Sequence, residues 1–370
     1  MDYNQITELL SQKKDFEKIT LQDNIQGGEK VEFGAIVGNP PYQESDGGEG
    51  NGSSPIYNNF IDLSTIITNC AVLIHPARFL FNAGKTPKLW NKKILKSPFF
   101  SIKNYSIDSS KVFEGVDIKG GVAISLYDRG NKKTPIDVFI PYPELASIAK
   151  KVQMHDTLML DTIVYPRDLY HLTNQVYLDH PDLLDRQSKG HKFDLGSNVF
   201  IKLPELFVDN KVNKNYVGVY GRDDNKRTIK WILNKYLRTP DNLSNYKVII
   251  PKSNGTGAIG EVLSTPFIGE PMIGHTLTFL SIGSFNTRFE AEALLKYIKS
   301  RFARVLLGIL KVTQDNPQST WKYVPLQNFT ESSDIDWSKS VDDIDQQLYC
   351  KYGFNDEEIS FIEEKVQRME

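Results

Sequence analysis

Cysteine is almost absent from this sequence. Cys70 and Cys350 are the two in 370 residues, far apart and outside any CxxC or Cys/His cluster. A disulfide framework and a structural zinc site are therefore excluded as organising devices, and no metal is expected. Long hydrophobic runs are also missing: none approaches the roughly 20 residues of a membrane span. The first residues, MDYNQITELLSQKKDFEK, have a polar helical pattern rather than that of a signal peptide. The expectation is a cytoplasmic protein with no membrane partner. Charge of one sign is lacking overall, with 44 Lys+Arg against 46 Asp+Glu, so net charge by itself names no partner. What is present is 40% hydrophobic residues, the balance of a globular chain long enough for two cores.

Locally the charge is uneven. Arg186 to Arg238 carries 12 Lys/Arg and 5 Asp/Glu, a balance of +7, whereas Asn328 to Glu370 carries 4 and 12, a balance of -8. Such runs are usually solvated faces. The basic one gains meaning only if another feature points to nucleic acid.

Along the chain, residues 1–32 read as a polar helix and a loop. Phe33 to Val37 (FGAIV), stopped by Gly38 and two prolines, suits a buried strand of a parallel sheet. Gln43 to Ser54 is a Gly/Ser/acidic loop. Ile56 to Ile67 has helical spacing, and Ala71 to Ile74 is strand-like. A helix over Trp90 to Leu95 and strands over Ile102 to Ile107 and Gly121 to Tyr127 continue an α/β alternation. Beyond a boundary near 130–140 the pattern is mixed, with strands expected at Tyr216 to Val219, Tyr246 to Ile250 and Thr276 to Ile282. One long helix is expected from Arg288 to about Leu310. The expected division is a catalytic domain over 1–135, a second domain over 136–330 and an acidic helical segment over 331–370.

The sharpest signal is Asn39-Pro40-Pro41-Tyr42, directly after FGAIV and Gly38. From average residue usage a chance match has a probability on the order of 1 in 1,000. Two prolines fix the backbone and remove two donors at the carboxyl end of a strand, where α/β sheets place ligands. Acceptors beside an aromatic ring remain, a set that suits an exocyclic amine on a flat base. Asn39 Oδ1 and the Pro40 carbonyl would accept the two hydrogens of an adenine N6 amine and free its lone pair, Pro41 would brace the turn, and Tyr42 would stack on the base. Attack on a sulfonium methyl depends mainly on positioning and needs no strong base.

These residues resemble the DNA adenine-N6 methyltransferases of the gamma class, more narrowly the long type II restriction-modification methylases that carry a target-recognition domain. The matching stretches are IVGNPPYQ at 36–43, PIYNNFID at 55–62, LIHPARFLFNAGK at 73–85 and KVFEGVDIKGGVAISLYDR at 111–129. Further matches are PKSNGTGAIGEVLSTPFIGEP at 251–271, GILKVTQDNPQSTWKYVPL at 308–326 and DIDQQLYCKYGF at 343–354. The resemblance implies an α/β fold: a partial Rossmann-like methyltransferase sheet followed by a mixed α+β target-recognition domain. It implies S-adenosylmethionine as methyl donor, double-stranded DNA as partner and Phe113 as the ring supporting the flipped base from the side opposite Tyr42. It also puts the loops of Arg78, Lys85 and Lys119 near DNA, though each alone reads equally well as a surface charge. For the second domain, Lys226, Arg227, Lys230 and Arg238 are the expected phosphate contacts, interleaved with Tyr216, Tyr220, Trp231 and Tyr236. Asn254, Gln314 and Asn316 are amides suited to base edges.

One departure stands out. The family carries a glycine-rich cofactor loop, roughly ExxxGxGxF, on the order of 100 residues ahead of NPPY, and 38 residues precede Asn39. The formal GxGxxG at Gly255 to Gly260 is followed by VLSTPF, where Pro266 prevents a helix from opening, so it reads as a turn. The cofactor-binding motif is thus not found in this chain. A second chain carrying that half, a truncated remnant, or an isolated piece of a longer protein would each account for it. The expected function is site-specific adenine methylation of DNA within a restriction-modification system. The alternative is a catalytically incomplete DNA-binding specificity subunit. DNA cleavage finds no convincing PD-(D/E)xK spacing.

Overall fold

The computed structural model describes residues 33–44, 54–224 and 226–369. The helix expected within 1–32 and the centre of the Gly/Ser loop, 45–53, lie outside the described residues. The chain is mixed α/β, as expected, and divides into two compact units, Met1–Pro141 and Tyr142–Glu370. Among the described residues no helix is long and apolar enough to cross a membrane, and no group of His, Cys, Asp and Glu could hold a metal ion.

In the first unit β1 (Ile36–Gly38), α1 (Tyr57–Ile67), β2 (Cys70–Pro76), α2 (Lys88–Leu95), β3 (Phe100–Ser106) and β4 (Val122–Asp128) build a four-stranded sheet of order β1-β2-β4-β3. β1 runs parallel to β2, with Ile36, Val37 and Gly38 opposite Ala71, Val72 and Leu73. β2 and β3 both run antiparallel to β4. Strand alternation turns Ala71, Leu73 and His75 of β2 inward. The helical period does the same for Tyr57, Ile61 and Ser64 of α1. Of these, Leu73, Tyr57 and Ile61 meet Phe79, Leu80, Trp90, Ile94 and Phe100 in one core. Trp90 Nε1 donates to Asp62 Oδ2 at 3.0 Å and pins α2 to α1.

The FGAIV strand is not the buried parallel strand its composition suggests. Among the described residues β1 lies at the sheet edge, with Val37 81% and Phe33 49% exposed. An apolar run signals burial only if the sheet continues on both sides, and among the described residues it continues on one.

The second unit opens with α3 (Pro143–His155), α4 (Gln175–Asp179) and α5 (Val199–Lys202). The strands β5 (Phe207–Val208), β6 (Tyr216–Asp223), β7 (Lys226–Leu233), β8 (Tyr246–Pro251), β9 (Phe267–Gly269), β10 (Ile273–His275) and β11 (Phe279–Phe285) follow. They form two sheets, β10-β6-β7-β5 and β11-β8-β9. The strand expected at Thr276 to Ile282 begins later, as β11, and Thr276 to Thr278 link it to β10, which belongs to the other sheet. The expected long helix is also two, α6 (Arg288–Lys299) and α7 (Arg301–Leu307). Ser300 between them leaves helical geometry (φ -60, ψ 150), its side chain accepts from Ala303 N, and the Asp345 carboxylate accepts from Arg301 N and Phe302 N. A capping hydroxyl and a carboxylate thus create a new helix start inside an apolar period. The acidic residues after 330 form α8 (Val341–Lys351) and α9 (Asp356–Lys365) and pack within this unit, with Ile344, Leu348 and Ile362 fully buried.

Each unit buries a neutral histidine in the same way. His75 Nε2 lies 2.8 Å from Ser125 Oγ and Nδ1 3.2 Å from the Pro76 carbonyl; His275 pairs likewise with Ser281 Oγ (3.3 Å) and the Thr276 carbonyl (3.1 Å). Burial pushes both imidazoles down to about 4. The unfolded chain therefore takes up these protons first, near pH 6.5, so stability falls as pH drops from about 6.5 towards 4, by on the order of 3 kcal/mol for each ring. Lys247, buried and donating to the Asn242 and Leu243 carbonyls, is pushed down by burial to about 7. The unfolded chain then holds the extra proton between pH 7 and the ordinary lysine range, and stability rises with pH over that window. Chemical denaturation at pH 4.5, 6.5, 7 and 9 should show both slopes, with His275→Phe flattening the acid limb and Lys247→Met the alkaline one. Unchanged slopes in these variants would contradict the assignment.

Candidate active site

Because β1 and β2 are parallel and β4 antiparallel, one edge of the first sheet collects the residues after β1 and β2, the end of β3 and the start of β4. Asn39 to Tyr42 leaves β1 at this edge, and Phe113 stands in the loop joining β3 to β4 rather than at a strand start. The NPPY segment is fixed at both ends. The β1-β2 ladder holds it before Asn39. After it, Tyr42 O accepts from Ile56 N (3.1 Å) and Glu44 N donates to Ser54 O (3.0 Å). Asn39 is exposed and the two prolines and Tyr42 are half-buried.

The structure brings Tyr42 and Phe113 together, ring centroids 6.5 Å apart and planes crossing at 65°. Edge-to-face packing of this kind is favourable in itself, and a base entering between the rings must turn one of them. Among the described residues the buried Tyr42 hydroxyl has no hydrogen-bond partner, and burial raises its pKa. The Phe113 loop is tied down by Ser109, whose hydroxyl donates to Val116 O and accepts from Ile118 N, both at 2.7 Å. Gly121, at φ +79, allows the chain to return against β3; a Cβ there would lie 2.3 Å from Ser106 O.

In the second unit Lys226, Arg227 and Lys230 lie on β7 beside the β6-β7 turn, Lys226 and Lys230 on one face and Arg227 on the other. Lys226 and Arg238 are exposed. Lys230 is held by Asp223 (2.9 Å) and Asp209 (3.3 Å), which raise its pKa. Arg227 bonds Thr265 Oγ1 and lies over the Phe279 ring. Of the expected aromatics, Tyr220 packs between Phe267 and Phe279 and Tyr236 is buried with its hydroxyl on Asp179. Tyr216 and Trp231 are half-buried. Asn254 and Asn316, expected at base edges, are buried, Asn254 donating to Val262 O and Asn316 accepting from Thr320. Their amides serve the fold. Gln314 remains exposed.

The glycine loop at 255–260 is a turn, and its amides are already taken. Glu261, a residue the motif reading stopped short of, accepts from Thr256 N and Oγ1 (both 2.6 Å) and from Gly257 N (3.1 Å), with buried Lys311 Nζ at 3.3 Å. Burial opposes the charge, yet the Thr256 hydroxyl and the amides of Thr256, Gly257 and Ala258 hold this carboxyl down at about 2. The glycines answer to packing: a Cβ on Gly257 would lie 2.4 Å from Val312 C, and one on Gly260 2.6 Å from Lys365 O. A nest of amides filled by the chain's own carboxylate does not fit a nucleotide cofactor. An acidic residue directly after a glycine run was the available signal.

Residues 1–113 match the family model described as Eco57I restriction-modification methylase. The chain is 31% identical over 103 residues to an "Uncharacterized adenine-specific methylase" of Mycoplasma pneumoniae (strain ATCC 29342 / M129 / Subtype 1), an overlap of 26% of this chain and 24% of that protein. The matched region thus spans about a quarter of that relative. These matches bear out the resemblance read from the motifs over the N-terminal part of the chain. Two solved structures are distantly similar. The type IIG restriction endonuclease BpuSI is 13% identical, with 85% of this chain and 48% of that one covered, at a TM-score of 0.34. The type IIL restriction-modification enzyme MmeI, in complex with DNA, is 12% identical, with 90% and 56% covered, also at 0.34.

Glu261→Ala would leave a nest of amides and a buried lysine without their anion, and should cost about 2–4 kcal/mol of stability. Urea unfolding of wild type and variant measures it. A loss under about 0.5 kcal/mol, within the range of an ordinary surface substitution, would show that the nest does not depend on this carboxylate.

Proposed function

We propose that this chain, whose first 113 residues match the Eco57I methylase family, contributes the base-holding side of a DNA methyltransferase that modifies adenine N6 in a restriction-modification system. The observation that carries the reading is Asn39-Pro40-Pro41-Tyr42 at the carboxyl end of β1, with Phe113 6.5 Å from Tyr42. In this reading the flipped adenine lies against Tyr42 and Phe113. Asn39 Oδ1 and the Pro40 carbonyl accept the two N6 hydrogens, drawing the amine towards tetrahedral geometry and an available lone pair. The prolines leave no competing donor there. S-adenosylmethionine, when bound, supplies an electrophilic methyl group with a good leaving group.

The described residues do not fit that cofactor, since their one glycine-rich loop of the right form is filled by Glu261. We therefore place the cofactor-binding half in polypeptide outside the described residues, a second chain being one source. The outer edge of β1 supports this. Among the described residues it has no strand neighbour, and it carries the 81% exposed Val37, a surface suited to a further strand. Lys226, Arg227 and Arg238 are proposed to meet DNA phosphates, with Lys230 already engaged by its two aspartates. The filled glycine loop also favours a second reading, a specificity subunit that binds DNA without catalysis.

Transfer of radiolabelled methyl from S-adenosylmethionine to mixed-sequence duplex DNA separates the two. With the product of the adjacent reading frame added, wild type should label DNA and Asn39→Ala should lose at least about 100-fold, the scale of one lost charge-stabilising contact. Salt-dependent DNA binding with no label under any condition would leave the specificity subunit.

A further inference from the structure

Arg78 lies two residues beyond the end of β2, at the sheet edge where Asn39 leaves β1. Its side chain is not loose on the surface. The stem runs in a trough between two turns whose glycines hold positive φ, Gly84 at +84 and Gly120 at +87. A Cβ on Gly120 would lie 2.5 Å from Arg78 Cγ, and one on Gly84 3.4 Å from Arg78 Cβ. The backbone beneath is equally fixed. Ala77 N donates to Gly121 O (3.0 Å), Ala83 N donates to Arg78 O (3.0 Å), and Phe79 and Leu80 are buried in the core against which Tyr42 packs.

The guanidinium at the end of this stem is exposed, and among the described residues no carboxylate pairs with it, neither Asp108 nor Glu114 nor Asp117 of the facing loop. Burial pushes the Tyr57 phenol up to about 12, against a Thr86 hydrogen bond and the Arg78 charge, so the guanidinium sits within electrostatic reach of Tyr57. Tyr57 follows Ile56, the residue bonded to the carbonyl of Tyr42. An arginine ordinarily carries about 2 kcal/mol of rotamer entropy. Here much of that freedom is removed without any acceptor within the described chain, so a planar fork of donors is held ready for an anion from outside.

We infer that Arg78 is a positioning residue that grips the backbone phosphate next to the nucleotide whose base enters between Tyr42 and Phe113. The inference rests on the reading of that pair as a base site. The fork matches two phosphate oxygens, and a phosphate beside a splayed-out base is the anion such a strand brings to this edge.

The test is equilibrium binding of the full chain to a mixed-sequence duplex with one unpaired adenine, as a function of salt. A matched duplex carries neutral methylphosphonates on both sides of that adenine. Wild type should bind the charged duplex about tenfold more tightly than the neutral one. Arg78→Gln, which keeps the stem in its trough, should lose about tenfold on the charged duplex, lose nothing on the neutral one, and lower the salt slope by about 0.9, one phosphate contact. Arg78→Lys should fall between. Equal affinity of wild type and Arg78→Gln, or an equal loss on both duplexes, overturns the inference. Failure of the base site reads differently: wild type would then not distinguish the unpaired adenine from a fully paired duplex. An Arg78 effect on the salt slope that persisted in that case would keep the phosphate contact and discard the base site.

Discussion

Three residues of parallel ladder, Ile36 to Gly38 against Ala71 to Leu73, determine where every candidate residue of the first unit stands. Parallel pairing sends the chain out of β1 and β2 at the same edge, so Asn39 and Arg78 both lie beyond it although some 40 positions separate them. The antiparallel return of β4 brings the Phe113 loop and Gly120 to that edge as well. A one-residue slip of β1 would move Asn39 to the other face of the pleat. The ladder is short, and the pairing of Tyr42 and Glu44 with Ser54 and Ile56 supplies the second fixed point that holds the prolines.

Most polar side chains in the interior are used by the fold. His75 and His275 repeat one arrangement on unrelated strands, a ring nitrogen on the next carbonyl and the other on a serine, which keeps each ring neutral and oriented. Arg304, 2% exposed, donates to the carbonyls of Lys299 and Gly260, tying α7 to the glycine loop. Glu261 and Lys311 close the same loop from the other side. The second unit thus spends charges that composition alone would offer to a ligand, Lys230 among them. That leaves Lys226, Arg227 and Arg238 as its exposed nominated cations, Arg227 with a bond to Thr265 Oγ1.

Element types in the first unit were legible because strand alternation and helical spacing there agree with burial, as in β2, β4 and α1. The edge position of β1 was not, since an apolar run carries no information about whether a neighbour lies beside it. In the second unit the errors were local competitions. Ser300 and Asp345 interrupt an apolar helical period, and Thr276 to Thr278, expected within a strand, instead link β10 of one sheet to β11 of the other. At the site, NPPY was readable because its chemistry is contiguous. The resemblance put the Arg78 loop near DNA without separating it from a surface charge; what holds its stem, Gly84 and Gly120, one of them some 40 residues away, was not legible. Asn254 and Asn316 misled for the opposite reason: an amide looks the same in sequence whether it faces a base or the chain's own interior.

The central claim is that the acceptors at Asn39 and Pro40 meet the exocyclic amine of adenine. The most direct measurement is the identity of the modified nucleoside, by digestion and mass spectrometry of DNA incubated with S-adenosylmethionine, the chain and the proposed cofactor-binding half. The account expects N6-methyladenine, absent when Asn39→Ala replaces wild type. 5-Methylcytosine, or N6-methyladenine formed equally well without the Asn39 amide, would contradict it.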